Sequence, residues 1–192
     1  MPDWAASFPS VHVRAVDLQL GLDVSHASHA DYAERVVTAA HQLQTGVSLC
    51  GWSMGGLAVL EAAARIRPHS VVLIETSAPA EVQGFHPAIV PTPGSFDPEE
   101  VYGSFPAGVA SRPESSLARS ERKRGISVPS LPCPSLVVSG REFAEERGAA
   151  VAQLYGSDEL MYPELDHWDL VRDGKVRAAI ASWLGIGDGG SP

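Results

Sequence analysis

This sequence predicts an α/β architecture, a mainly parallel sheet with helices on both faces. Three observations carry the prediction. Short apolar runs alternate with helical stretches, the pattern of strands joined by crossover helices. One of those runs leads straight through "GWSMGG" (51–56) into an alanine-rich helix. One long proline-rich connection, about 80–132, interrupts the alternation, as an insertion into such a fold would.

The elements follow in order. "VHVRAVDLQLG" (11–21) alternates apolar and polar residues and is rich in valine, so it reads as a strand. In "SHADYAERVVTAAHQL" (28–43) Ala30, Ala33, Val36, Val37 and Ala40 recur at helical spacing behind Ser28 as N-cap. "GVSLCGW" (46–52) is a short apolar strand, with Cys50 expected to be a small buried side chain. "LAVLEAAARI" (57–66) holds strong helix formers and stops before Pro68. "SVVLIETSAP" (70–79) and "PSLVVSG" (134–140) are buried strands. "RGAAVAQLYG" (147–156) is helical, "ELMYPELDHW" (159–168) is a strand with its following loop, and "GKVRAAIASWLG" (174–185) is a closing helix. Within the insertion only "DPEEVYGSF" and "PESSLARSERKRG" look helical, and the basic run "RSERKRG" (119–125) reads as a solvated helix face.

Composition narrows the function. The chain has 192 residues, 44% hydrophobic and 19% charged, with a net charge of −9. That suits one domain with a real core and argues against nucleic acid, which demands a basic face. No apolar run approaches the ~20 residues of a membrane span, and "MPDWAASFPS" lacks the form of a secretory signal, so a cytoplasmic location is expected. Two cysteines are too few for a disulfide framework or zinc site. His26 and His29 have H-x-x-H spacing without a third ligand nearby. No nucleotide, flavin or metal motif appears, and no cofactor is expected.

Gly51, Ser53 and Gly55 fit G-x-S-x-G, in which a serine on a sharp strand-to-helix turn is held out as a nucleophile. In a chain with 18 glycines the five residues alone are weak. The strand before, the helix after and Gly56 at the packing point strengthen them. The helix would turn its positive end toward a developing oxyanion, with the Met54 N–H as one donor. A serine hydroxyl needs a base, and His167 in "ELDHWDLV" follows the last strand, where a loop can reach back over the strand ends. The other histidines lack such a place. For the orienting acid, Glu142 in "GREFAEERG" is favoured, with Glu145 and Glu146 beyond it; Glu75, closing the strand next to the nucleophile's, is the second choice. Asp166 and Asp169 flank the histidine too closely. Trp52, beside the nucleophile, is assigned to the substrate site.

With "GWSMGG" as elbow, "PCPSLVVSGRE" (132–142) as acid strand and "DHWDLV" (166–171) as histidine loop, the chain resembles the α/β-hydrolase superfamily of serine hydrolases over residues 11–184. The resemblance implies hydrolysis of a small-molecule ester or thioester through an acyl-enzyme on Ser53, with His167 as base then acid. It implies a cap at 80–132, whose Phe85, Phe96, Tyr102 and Phe105 would line an apolar pocket or pack the cap down. Two departures stand out. The acid turn carries Phe143 where aspartate is usual, and the strands that should precede the elbow are reduced or missing, with a second oxyanion donor. The open edge beside the nucleophile strand would be filled by 11–21 or by a partner chain, making a homo-oligomer one expectation. The alternative function is a non-catalytic binding protein or pseudoenzyme of the same fold.

Overall fold

The computed structural model describes residues 4–43, 46–143 and 147–186. Four strands, β1 (Ser48–Trp52), β2 (Ser70–Ile74), β5 (Ser135–Gly140) and β6 (Asp158–Tyr162), pair in parallel in the order β1-β2-β5-β6. Every residue of β2 and β5 is buried. This is why those two runs are continuously apolar rather than alternating.

Side chains alternate across the pleat, and the core divides accordingly. Val71, Leu73 and Val137 face a cluster with Tyr32, Val36 and Val37 of α1 (His29–His41), Leu57 and Leu60 of α2 (Met54–Ile66), and Val151 of α6 (Ala149–Tyr155). Val72, Ile74, Leu136 and Val138 face Phe8, Leu170 of α7 (Asp169–Arg172), and Val176 and Ile180 of α8 (Gly174–Trp183). Helices thus cover both faces. At the start of α1 the Ser28 hydroxyl accepts from the Asp31 N–H while the Asp31 carboxylate accepts from the Ser28 N–H, a capping box worth about 1 kcal/mol. α2 begins at Met54, directly after Ser53 and three residues before the predicted start.

Residues 11–21 do not form a strand. The Asp17 carboxylate accepts from the Gln19 N–H at 3.0 Å and bends the chain there. The apolar residues also disperse: Val13 packs against the core on the Val72 and Ile74 side of the sheet, Leu18 packs on the opposite side near α2, and Val11 and Leu20 are exposed. The segment therefore does not fill the sheet, and among the described residues no strand pairs with the outer edge of β1. Ser48 and Cys50 are exposed at that edge. Cys50 is not the buried side chain expected, because β1 is a border strand and not an interior one. Both cysteines are free.

The insertion holds α3 (Ala80–Gln83), α4 (Pro98–Tyr102) and α5 (Ser116–Arg124). It also holds a small antiparallel ribbon of β3 (Ser95–Phe96) and β4 (Glu114–Ser115) that the sequence did not suggest. Two-residue strands are too short to show a period. Among the described residues no helix is long and apolar enough to cross a membrane.

Candidate active site

Ser53 sits between the end of β1 and the first residue of α2 with φ 56° and ψ −127°. A residue other than glycine in this region stores about 1–3 kcal/mol of strain. Three hydrogen bonds hold it there: its N–H donates to the Ile74 carbonyl at 3.0 Å, and its carbonyl accepts from Gly56 at 3.1 Å and Ser77 at 2.9 Å. The glycines around it are unequal. A Cβ on Gly51 would lie 2.6 Å from the Gly55 carbonyl oxygen, and one on Gly56 would lie 2.6 Å from the Thr76 Cβ. At Gly55 the nearest atom would be Leu18 Cδ1 at 3.8 Å. Gly51 lets the helix approach its own strand, and Gly56 lets it approach the loop after β2. The Ser53 hydroxyl does not bond back to its helix. The Met54 N–H lies in the first turn of α2, where N–H groups have no partner within the helix.

The imidazole of His167 stands in the loop between β6 and α7. Its Nδ1 is 2.8 Å from Oε2 of Glu75, whose side chain is fully buried. Oε1 of Glu75 accepts from the Gly140 N–H at 3.0 Å. Glu75 itself has φ 43° and donates its N–H to the Val138 carbonyl at 2.7 Å. Both oxygens of this carboxylate are therefore engaged, one by the end of β5 and one by the histidine. The loop is stitched down around them. Arg141 donates to the Leu165 carbonyl at 2.8 Å. Asp166 accepts from the N–H groups of Trp168 and Asp169, as a helix cap rather than a partner of the ring.

The structure thus pairs His167 with Glu75, where the sequence favoured Glu142. Strand order explains the difference. β2 lies directly beside β1, and Glu75 follows its last residue and is buried, whereas Glu142 lies one strand further on, in the turn beyond β5, and is exposed. Glu142 is nevertheless close: donor atoms of Glu75, Glu142 and His167 all lie within 4.8 Å of one another. These are the donors available to a cation here, but Glu75 and His167 already satisfy each other. Glu145 and Glu146 lie outside the described residues. His26 and His29 do not share a site, since His26 is exposed beside Asp23 and His29 is buried against Glu61.

Trp52 faces inward to the histidine loop. Its Nε1–H donates to the His167 carbonyl at 3.0 Å, and its ring lies 4.6 Å from the imidazole and 4.8 Å from Trp168. Phe105 of the insertion continues the row, 4.9 Å from Trp168. Phe96 and Tyr102 instead pack on each other under Arg119, and Phe85 is exposed beneath Arg124. The bracing role of Trp52 had no sequence signal beyond its place next to Ser53. Glu75 did have one, an acid directly after a wholly apolar strand.

A family described as the alpha/beta hydrolase family matches residues 3–187. Among solved structures, a bromoperoxidase from Bacillus anthracis is similar at 17% identity and a TM-score of 0.60, over 82% of this chain and 74% of that one. A polyneuridine aldehyde esterase matches at 14% identity and a TM-score of 0.58, over 96% and 93%. The NocB thioesterase domain, solved as a covalent complex with a fluorophosphonate nocardicin G analogue, matches at 21% identity and a TM-score of 0.53, over 94% and 86%. These likenesses show the fold. No curated protein matches the chain.

Proposed function

The chain belongs to the alpha/beta hydrolase family, and on that premise we propose that it is a serine hydrolase cleaving an ester or thioester of a small acyl substrate through an acyl-enzyme on Ser53. The observation that carries this reading is the buried Glu75 carboxylate 2.8 Å from Nδ1 of His167. That bond places the ring proton on Nδ1 and leaves Nε2 as the proton acceptor. Nε2 takes the Ser53 proton as Oγ attacks the carbonyl, and the new oxyanion is met by the Met54 N–H at the positive end of α2. The imidazolium is stabilised by Glu75 and gives its proton to the departing alcohol or thiol. Water then attacks the acyl-enzyme by the same steps and restores Ser53.

Trp52 acts in this scheme as a positioning residue for His167, and residues 80–132 act as a cap that meets the site through Phe105. A second reading, ligand binding without turnover, is favoured by one observation: no hydrogen bond joins the Ser53 hydroxyl to His167. Such contacts often tighten only with substrate bound. Labelling with a fluorophosphonate probe, alongside Ser53→Ala, separates the two. The hydrolase reading expects an adduct mapped to Ser53 and absent in the variant. A folded, unlabelled wild-type chain would leave the binding reading standing.

A further inference from the structure

The basic run of the insertion is not spread evenly around a solvated helix. α5 carries Arg119, Arg122, Lys123 and Arg124 on nine residues, four of the 14 Lys and Arg of a chain whose net charge is −9. Their surroundings differ. Arg119 lies over the rings of Phe96 and Tyr102 and donates to the Tyr102 hydroxyl. Arg124 covers Phe85. Arg122 reaches toward the loop after β2, where its Nη1 lies 3.5 Å from the Ser77 hydroxyl. Ser77 is the residue whose N–H holds the Ser53 carbonyl at 2.9 Å. The guanidinium thus ends one residue away from the backbone that carries the nucleophile.

Arg122 is also under-compensated. Its Nε is buried without a hydrogen-bond partner among the described residues. No described carboxylate lies within 4.0 Å of it. Glu114 feels its charge, together with those of Arg112 and Arg119, only at longer range. Lys123 is held below its ordinary pKa by desolvation and by Arg119 and Arg122, which marks the potential there as positive. A half-buried cation with a 3.5 Å contact to one hydroxyl has donors to spare, and an unpaired buried charge is costly. A guanidinium fork is the group that grips two oxygens of one anion.

We infer that Arg122 is the seat of an anionic oxygen group on the substrate, a carboxylate or phosphate carried on the acyl chain a short distance from the carbonyl that Ser53 attacks. The inference rests on the hydrolase reading and gives it a substrate class, an anionic ester or thioester. The basic last turn of α5 draws such a substrate to a molecule that is otherwise acidic, where its overall field would repel it.

The test compares p-nitrophenyl hemiglutarate and hemisuccinate with neutral p-nitrophenyl butyrate, using wild type, Arg122→Gln and Arg122→Lys. Thermal melts confirm folding. Wild type is expected to favour the hemiesters in kcat/KM. In Arg122→Gln the ratio of anionic to neutral kcat/KM falls about 10- to 100-fold, the size of one charged hydrogen-bonded pair. Arg122→Lys recovers part of the ratio, since it restores charge without the fork. Competition by glutarate against inorganic phosphate tells the two anions apart. An unchanged ratio in Arg122→Gln, or a wild type that prefers butyrate, overturns the inference while leaving the hydrolase standing. If no ester is turned over and no probe labels Ser53, the hydrolase reading fails instead. Calorimetric titration of glutarate then decides alone: binding that Arg122→Gln abolishes supports the seat, and equal or absent binding overturns it.

Discussion

Glutamine at position 75 keeps the shape of the side chain and removes its charge, so it isolates what the carboxylate does for His167. The Gly140 N–H still needs an acceptor at the place of Oε1, 3.0 Å away. The amide oxygen takes that place, and the amide NH2 is then turned toward Nδ1 of His167. A donor there strips Nδ1 of its proton and moves the proton to Nε2, the nitrogen that must accept from Ser53. Two losses combine. The charged hydrogen bond that stabilises the imidazolium is worth about 1.5–3 kcal/mol, and the wrong tautomer adds to it. Together they approach the ~10⁴-fold loss of kcat that follows when the orienting carboxylate of a serine triad becomes an amide, or about 5 kcal/mol at 1.36 kcal/mol per decade. Glu142→Gln is the paired control. That carboxylate is exposed, so water screens it and the change is worth at most about 1 kcal/mol, roughly fivefold. Turnover of a chromogenic ester, with melting curves for both variants, gives the comparison. A Glu142→Gln enzyme slower than Glu75→Gln would refute the assignment, as would a Glu75→Gln enzyme keeping more than about a tenth of wild-type kcat.

Trp52→Phe keeps a ring against the imidazole but loses the bond to the His167 carbonyl, a neutral hydrogen bond of about 0.5–1.5 kcal/mol. It should lower kcat about 2- to 12-fold with little change in KM; a change confined to KM would return Trp52 to the substrate pocket. Gly56→Ala drives a Cβ to 2.6 Å from that of Thr76 and should cost about 1–3 kcal/mol in urea unfolding, whereas Gly55→Ala meets only Leu18 at 3.8 Å and should cost little; equal effects would show that the packing argument is wrong. Asp17, which joins the N-terminal segment to Arg112 of the insertion, has its carboxyl held down to about 2, chiefly by the Arg112 hydrogen bond. A depressed pKa means stability fully present above the ordinary value of 3.8 and lost as pH falls through about 2. Both side chains are partly exposed, so Asp17→Asn should cost only about 0.5 kcal/mol at neutral pH, with the difference from wild type shrinking below pH 4; a gap that widened on acidification would reverse the sign.

The interior of the sheet was legible because β2 and β5 are buried on both faces and so are written as unbroken apolar runs. α1 announced itself through its spacing and the Ser28 cap. The failures occur where tertiary context overrules a local pattern. Residues 11–21 alternate like a strand, yet the Asp17 turn and the lack of a common buried face prevent one. Cys50 belongs to an apolar strand that becomes a border, which no residue of β1 encodes. The choice between Glu75 and Glu142 needed the histidine loop in place, because each acid follows a buried interior strand and only the fold shows that the His167 ring meets the buried carboxylate of Glu75 while Glu142, two residues past β5, is exposed.

Strand order also explains how a serine on a border strand can be held so firmly. Of the hydrogen bonds that fix Ser53, two go inward, to Ile74 at the end of β2 and to Ser77 in its loop, and the third closes the first turn of α2. None uses the outer edge of β1. The same holds for the rest of the acid–base pair: Glu75 is anchored to Val138 and Gly140 of β5, and His167 to Glu75 and Trp52. Ser53, His167 and Glu75 are therefore positioned from the interior of the sheet toward β6, and none of these hydrogen bonds involves the open side of β1. On the proposed mechanism, the group left to account for is the oxyanion. The Met54 N–H comes with the elbow itself, and a second donor to that oxygen would have to come from outside the acid–base framework that places the other groups. A single donor of this kind is worth about 10²–10³ in turnover, so a chain with the Glu75–His167 pair seen here and Ser53 as its proposed nucleophile can label at Ser53 and still turn over slowly.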